Sequence, residues 1–226
     1  MSAGPRRLIV AIDGPAGAGK STLARGLARA LGYTYVDSGA MYRVVGLAAR
    51  TRGIEPGDAA ALAALIDRLD FALRPEPGGQ RVLLEGRDVT DELRTPAAGE
   101  WASQVAALPE VRSRLVERQR RLGDAGGVVM DGRDIGTVVF PNADCKFFVT
   151  ASAAERARRR AREIGAPAAD LTGIQRDIEA RDRRDAERVH APLRAAADAE
   201  TIDTTGLTAE EALGRVLGRV TERAKA

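Results

Sequence analysis

Cysteine occurs once in these 226 residues, at position 145, so no intramolecular disulfide can staple the fold and a reducing compartment fits best. Cys145 lies in an apolar, strand-like run, where an inert buried thiol is expected rather than a nucleophile. Aromatic residues make up only 4% of the chain, with a single Trp101, and no basic patch is interleaved with them. Platforms for stacking single-stranded nucleic acid are therefore poorly supplied, and Trp101 is read as core or hinge packing. The only histidine, His190, precedes Ala-Pro-Leu near a helix end, where a turn or a C-terminal helix charge is a simpler role than catalysis. No window approaches the length of a membrane span. The opening MSAGPRRLIVAIDG carries two arginines but an apolar stretch too short for a signal-peptide core, so a cytoplasmic protein is expected. There is no fixed-period repeat, and no low-complexity segment beyond the arginine-rich ERARRRARE at 155–163.

What is present is the composition of a folding chain. Apolar residues make up 44% and charged residues 30%, near the globular norm, and the length suits one principal domain with an insertion. The formal charge is only +3, but the pI of about 9.4 and the excess of arginine over lysine point to anions as partners, phosphates or nucleic acid.

Short apolar or β-branched runs recur at 8–13, 33–37, 127–131, 146–150 and 200–204, separated by helix-like sequence. That alternation predicts a parallel sheet covered by helices. Helices are expected at about 19–31, 38–52, 58–70, 109–122, 152–164, 172–189 and 208–224, with SAAE at 152–155 and TAEE at 208–211 as capping boxes. The segment 70–96 breaks the pattern, with two β-like runs around Pro77, Gly78 and Gly79. It reads as an antiparallel hairpin inserted into the α/β core.

Directly after the first strand, GPAGAGKS satisfies G-x-x-x-x-G-K-[ST] in the required strand-to-helix context. Glycines permit the backbone conformations that turn successive N–H groups around a phosphate, and the helix N-terminus adds its dipole. Gly14, Pro15, Ala16, Gly17, Ala18, Gly19, Lys20, Ser21 and Thr22 are the candidate nucleotide-binding residues. Lys20 would reach the β and γ phosphates of ATP and Ser21 would ligate Mg²⁺. The loop leaves open whether the phosphoryl group goes to water or to an acceptor.

Acceptor candidates follow from strand ends, where open α/β sheets bind ligands. The second strand runs into YVDSGAMYR, bringing Asp37, Ser38, Tyr42 and Arg43 to that edge. Asp37 or Ser38 equally suits a helix cap, and Arg43 equally suits a solvated helix face. The tripeptide Gly-Arg-Asp occurs twice. In LLEGRDVT it sits in hairpin sequence with Gly86 where a turn wants positive φ, a structural role. In GVVMDGRD it ends a fully apolar run, so Asp131, Arg133 and Asp134 are delivered to the ligand edge. Near 172–189, Arg181, Asp185 and Arg188 continue the helical stripe of Ile174 and Ile178. Arginines on an inward stripe need anionic partners, local carboxylates or a ligand.

With AIDGPAGAGKSTLA, DSGAMYR, ASQVAALPEVR, DGRDIGTVVFPNAD, ARDRRDAERVHAPL and the insertion ending in LRTP, nearly the whole chain resembles the bacterial cytidylate kinases, a family of nucleoside monophosphate kinases. The resemblance implies a P-loop NTPase fold with a five-stranded parallel sheet. It implies a kinase core at 1–62 and 99–226, a helical lid at about 155–168, and a monophosphate-binding insertion at 63–98. It implies transfer of the ATP γ-phosphate to CMP or dCMP with Mg²⁺, by a monomer that engages neither nucleic acid nor membrane. Carried over by position, Ser38, Arg43, Ser103, Arg112, Arg133, Asp134, Arg181, Asp185 and Arg188 line the acceptor site. Ser103, Arg112, Asp134 and Arg188 fall near the base, and Arg181 and Asp185 near the sugar. Lys20, Arg133, Arg188 and the lid residue Arg159 would stabilise the transferring phosphoryl group.

The chemistry is consistent with that implication. A phosphate monoester is roughly 90% dianion at pH 7 and needs no general base, and the acceptor residues are rich in arginine rather than in an isolated carboxylate. Two other readings stay open on sequence alone: a phosphate-loop kinase for another monophosphate or small metabolite, and a nucleotide-switched nucleic-acid-binding ATPase.

Overall fold

The computed structural model describes residues 7–76, 79–165, 167 and 170–225. Pro77 and Gly78 of the expected hairpin turn, positions 166 and 168 of the expected lid segment, and the first six residues lie outside them.

Five strands, β1 (Ile9–Asp13), β2 (Thr34–Asp37), β6 (Val128–Gly132), β7 (Cys145–Thr150) and β8 (Glu200–Asp203), form one parallel sheet in the order β2-β6-β1-β7-β8. β6 is buried throughout, as an apolar run covered on both faces should be. Its register sets the functional edge, because Asp37 lies opposite Asp131 and Asp13 opposite Gly132. Asp37 and Asp131 therefore leave the sheet at one level, and Asp13 one residue beyond them.

Helices α1 (Lys20–Leu31) and α8 (Ala209–Lys225) contribute Leu23, Leu27, Val216 and Val220 to one apolar cluster with β1 and β7. A second cluster joins α2 (Ser38–Thr51), α3 (Ala59–Arg68), α4 (Pro96–Val105) and α5 (Pro109–Gly123), and a third packs β6 with Val116, Ile135 and Val139. Each fully buried Leu or Ile among them contributes about 1.5–3 kcal/mol. The caps follow the side chains. Asp37 accepts from Ala40 N–H at 3.1 Å and Asp58 from Ala61 N–H at 2.9 Å. Thr208 and Glu211 form the reciprocal capping box of α8, whereas Ser152 makes only the forward half for α6 (Ala153–Ile164).

Between α3 and α4, β3 (Phe71–Glu76), β4 (Gly79–Leu84) and β5 (Arg87–Asp88) form a separate antiparallel sheet. The Gly-Arg-Asp here is a turn: Glu85 and Gly86 have φ of 50° and 78°, and Arg87 and Asp88 are exposed strand residues. A 3₁₀ turn, Glu92–Arg94, then leads to α4.

α4 is absent from the helices read from sequence. Thr95 caps it, accepting from Ala98 N–H at 3.2 Å, and Pro96 holds its first position. That start signal was masked because Gly99 weakens the helical pattern and the apolar face emerges only at Trp101, Ala102 and Val105. Trp101 packs half-buried against the α2–α5 cluster. Helices α6 and α7 (Leu171–Glu187) follow β7, the latter ending ahead of exposed His190. Cys145 is only half-buried, a correction to the expected buried thiol, because it starts β7 at the margin of the apolar cluster.

Candidate active site

A cleft of about 1130 Å³ opens at the carboxyl edge of the sheet, between the phosphate loop, α2, the small sheet, α4, α5 and α7. Pockets for a single drug-sized ligand span roughly 300–1,000 Å³, so this space is larger than one such ligand needs.

The end expected to take the donor is the loop from Gly14 to Gly19. Gly14 has φ 146°, and a Cβ there would lie 1.9 Å from the Val149 carbonyl oxygen, so no other residue fits. Ala16, Gly17, Lys20 and Ser21 face the cleft. Gly14, Pro15, Ala18, Gly19 and Thr22 complete the loop and the first helical turn without lining it. Lys20 is buried and its Nζ donates to the Pro15 carbonyl at 2.6 Å. Burial, then neighbouring Arg133, pushes its ammonium well below the usual lysine range. Asp131, also buried, accepts from Ser21 Oγ at 2.7 Å and from Tyr35 OH at 3.1 Å. Burial, then Asp37, pushes its carboxyl up.

At the acceptor end, Ser38, at the start of α2, donates to the Asp131 carbonyl at 2.8 Å, and Arg43, one turn on, pairs with Asp37. Arg112 of α5 pairs with Asp134, and its guanidinium lies 5.7 Å from the centre of the Tyr42 ring. Arg133 Nε donates to Asp185 at 3.0 Å, and Arg188 approaches the other oxygen of the same carboxylate at 3.3 Å. Arg181 Nε is buried with no hydrogen-bond partner. Burial, then Arg133, lowers its guanidinium to about 10. Lys20, Arg43, Arg112, Arg133, Arg181 and Arg188 face Asp37, Asp131, Asp134 and Asp185 across this space. Cations and carboxylates nearly balance over the whole lining, and it is the orphaned guanidinium N–H of Arg181 that describes a site completed by an anion.

All eleven acceptor residues read from sequence, Ser38, Tyr42, Arg43, Ser103, Arg112, Asp131, Arg133, Asp134, Arg181, Asp185 and Arg188, line this one cleft. Arg159 stands just off that lining, against the phosphate loop, where a Cβ on Gly19 would lie 3.4 Å from its Nη1. Its guanidinium is held by Glu155 one turn earlier and by Thr204, at 3.0 and 2.8 Å. Arg160 is the α6 arginine on the cleft. Sequence reasoning missed Asp182 of α7, which accepts from Ala16 N–H of the phosphate loop at 3.1 Å and pairs with Arg156. It also missed Gln80, whose Oε1 accepts from Asp37 N–H at 3.1 Å. Neither has a local signal, since both contacts join segments far apart in the chain.

The residues present suit a hard divalent cation. Ser21 Oγ and a buried carboxylate stand within one hydrogen bond of each other at the helix N-terminus, and an ion such as Mg²⁺ takes few protein oxygens beside water and phosphate.

A family model described as cytidylate kinase matches residues 10–222. A cytidylate kinase of Symbiobacterium thermophilum is 50% identical over 220 residues, covering 96% of this chain and 97% of that protein. Another, of Geobacter sulfurreducens, is 50% identical over 228 residues, covering 100% and 97%. Among solved structures, a gluconokinase from Sinorhizobium meliloti superimposes with a TM-score of 0.50 at 15% identity, covering 97% of this chain and 96% of that one. That likeness concerns the fold alone. Among the described residues no helix is long and apolar enough to cross a membrane.

Proposed function

The chain belongs to the cytidylate kinase family, and from that premise we propose how its cleft phosphorylates CMP. The enzyme is a nucleoside monophosphate kinase that transfers the γ-phosphoryl group of ATP to CMP. The observation that carries the assignment of roles is the single cleft in which Lys20 and Ser21 of the phosphate loop meet the arginine-rich acceptor residues.

ATP lies along the loop from Gly14 to Thr22, with Lys20 on its terminal phosphates. Ser21 Oγ, with Asp131 behind it, would hold Mg²⁺, which would supply charge neutralisation to the phosphates. The acceptor phosphate is received by Arg43, Arg133 and Arg181, whose orphaned Nε calls for an anion. Ser103, Arg112, Asp134 and Arg188 surround the base, and Asp185 the sugar. Asp134 accepts a hydrogen bond from the cytosine 4-amino group, a contact that uracil, with a carbonyl there, cannot make. No general base is required, because the acceptor is already ionised. The catalytic task is alignment and screening of two anions, which Lys20, Arg133 and Arg188 perform.

The segment 63–98 serves as the monophosphate-binding element and 155–168 as a lid that excludes water and suppresses ATP hydrolysis. Work as a cytoplasmic monomer on free nucleotides, rather than on nucleic acid, accords with the scarcity of aromatics and the lone cysteine. The test is ADP release with ATP and Mg²⁺ across CMP, dCMP, UMP, AMP and GMP. CMP is turned over best, with dCMP alongside it. A preference for CMP over UMP that is unchanged in Asp134→Ala would remove the base-reading role.

A further inference from the structure

The strand leading into the phosphate loop ends on a carboxylate that none of these roles employs. Asp13 is 4% exposed and lies opposite Gly132 in the pairing of β1 with β6. It commits both oxygens to successive main-chain amides, accepting from Ile135 N–H at 2.8 Å and from Gly136 N–H at 2.7 Å. Those amides open a π-helical turn, Ile135–Val139, that follows Asp134 directly. The first amides of a helical turn have no partner within it, so Asp13 caps the turn from a different strand. On the other side, the Asp134 carbonyl accepts from Val138 and Val139 at 2.9 and 3.2 Å. The main chain around Asp134 is thus gripped from both directions.

We propose that Asp13 is a positioning residue for acceptor recognition: by holding the Ile135 and Gly136 amides it sets where Asp134 presents its carboxylate. Because Asp13 is bonded to Gly14, the same residue ties that position to the start of the donor loop. This inference rests on the reading of Asp134 as the base-recognising group. Two adjacent amides need two acceptors, which a carboxylate has and a carboxamide lacks; Asn would turn an N–H₂ toward an N–H. A displacement of about 1 Å at a recognition group can cost about 10²-fold, so a lost cap is enough to matter.

The experiment compares wild type, Asp13→Asn, Asp134→Ala and the double variant, reading kcat/KM for CMP and for UMP and KM for ATP. Asp134→Ala collapses the CMP:UMP ratio. Asp13→Asn lowers that ratio about tenfold with KM for ATP within about threefold, and in the Asp134→Ala background it shifts the ratio less than about twofold. If Asp13→Asn lowers stability and kcat but leaves the ratio at the wild-type value, Asp13 is only a structural cap and the inference fails. An additive effect in the double variant overturns it too, because Asp13 would then act elsewhere. If Asp134→Ala alone leaves the ratio unchanged, the base-reading role fails and takes the inference with it. Asp13→Glu is the second probe should Asp13→Asn not fold: it keeps both carboxylate oxygens but carries them one methylene further, off the positions from which they accept the Ile135 and Gly136 amides. The same fall in the ratio is expected, and an unchanged ratio overturns the inference.

Discussion

Arg112 and Asp134 form an ion pair across the acceptor end of the cleft, with only 6% and 7% of their side-chain surfaces exposed. The pair joins α5 to the turn after β6, so it belongs at once to the fold and to the site. Removing one partner leaves the other charged, buried and uncompensated, a loss of about 3–5 kcal/mol. Arg112→Met is therefore expected to lower both thermal stability and kcat/KM for CMP, the latter by about 10²–10³-fold. KM for ATP stays near wild type. Calorimetry and steady-state kinetics with each substrate varied check this.

Lys20 lies buried, with its ammonium displaced downward by burial and Arg133, and a bound polyphosphate reverses that displacement. Lys20→Met is expected to lower kcat by about 10³-fold. CMP binding measured calorimetrically without ATP should change no more than a few-fold, since the acceptor end keeps its own arginines. Loss of CMP binding would place Lys20 at the wrong end of the cleft.

Burial raises the Asp13 carboxyl to about 6, with Asp134 adding to the rise and the Gly136 and Ile135 amides opposing it. An unfolded aspartate titrates near about 3.9, so between about pH 4 and pH 6 the folded chain retains a proton that the unfolded chain has lost. The stability linked to this group is full below about pH 4 and is lost as pH rises through about 6, by roughly 3 kcal/mol. Urea unfolding across that window should show a shallower decline with rising pH for Asp13→Asn than for wild type.

Gln80 joins the inserted sheet to the cleft through one hydrogen bond to Asp37 N–H, and Asp37 in turn pairs with Arg43. Gln80→Ala is expected to cost about 1 kcal/mol in denaturant unfolding. KM for CMP should rise several-fold with KM for ATP unchanged, because Ser38 and Arg43 stand on the first two turns of α2, which Asp37 caps.

The strand–helix alternation was legible because a strand covered on both faces must be apolar until it reaches the ligand edge, as Val128, Val129 and Met130 of β6 are before Asp131. α4 was not legible, since its apolar face emerges late and Gly99 weakens its start. The stripe of Ile174, Ile178, Arg181, Asp185 and Arg188 could be read from helical spacing, and Ile178 and Asp185 are its buried members. Arg159 shows where spacing stops being informative. It and Arg160 are equally plausible arginines in one run, and only the tertiary contacts set Arg159 beside the phosphate loop, held by Glu155 and Thr204, while Arg160 lines the cleft.

By itself the sequence determined the phosphate loop, the alternating fold and the side chains offered at the strand ends, because those depend on local conformation and on periodicity. The tertiary structure alone decided which charges meet. Asp13 reaches Ile135 and Gly136 across 122 and 123 positions of chain, and Asp182 reaches Ala16 across 166. Such contacts are set by strand register and helix packing, which depend on the whole core rather than on any neighbouring residue.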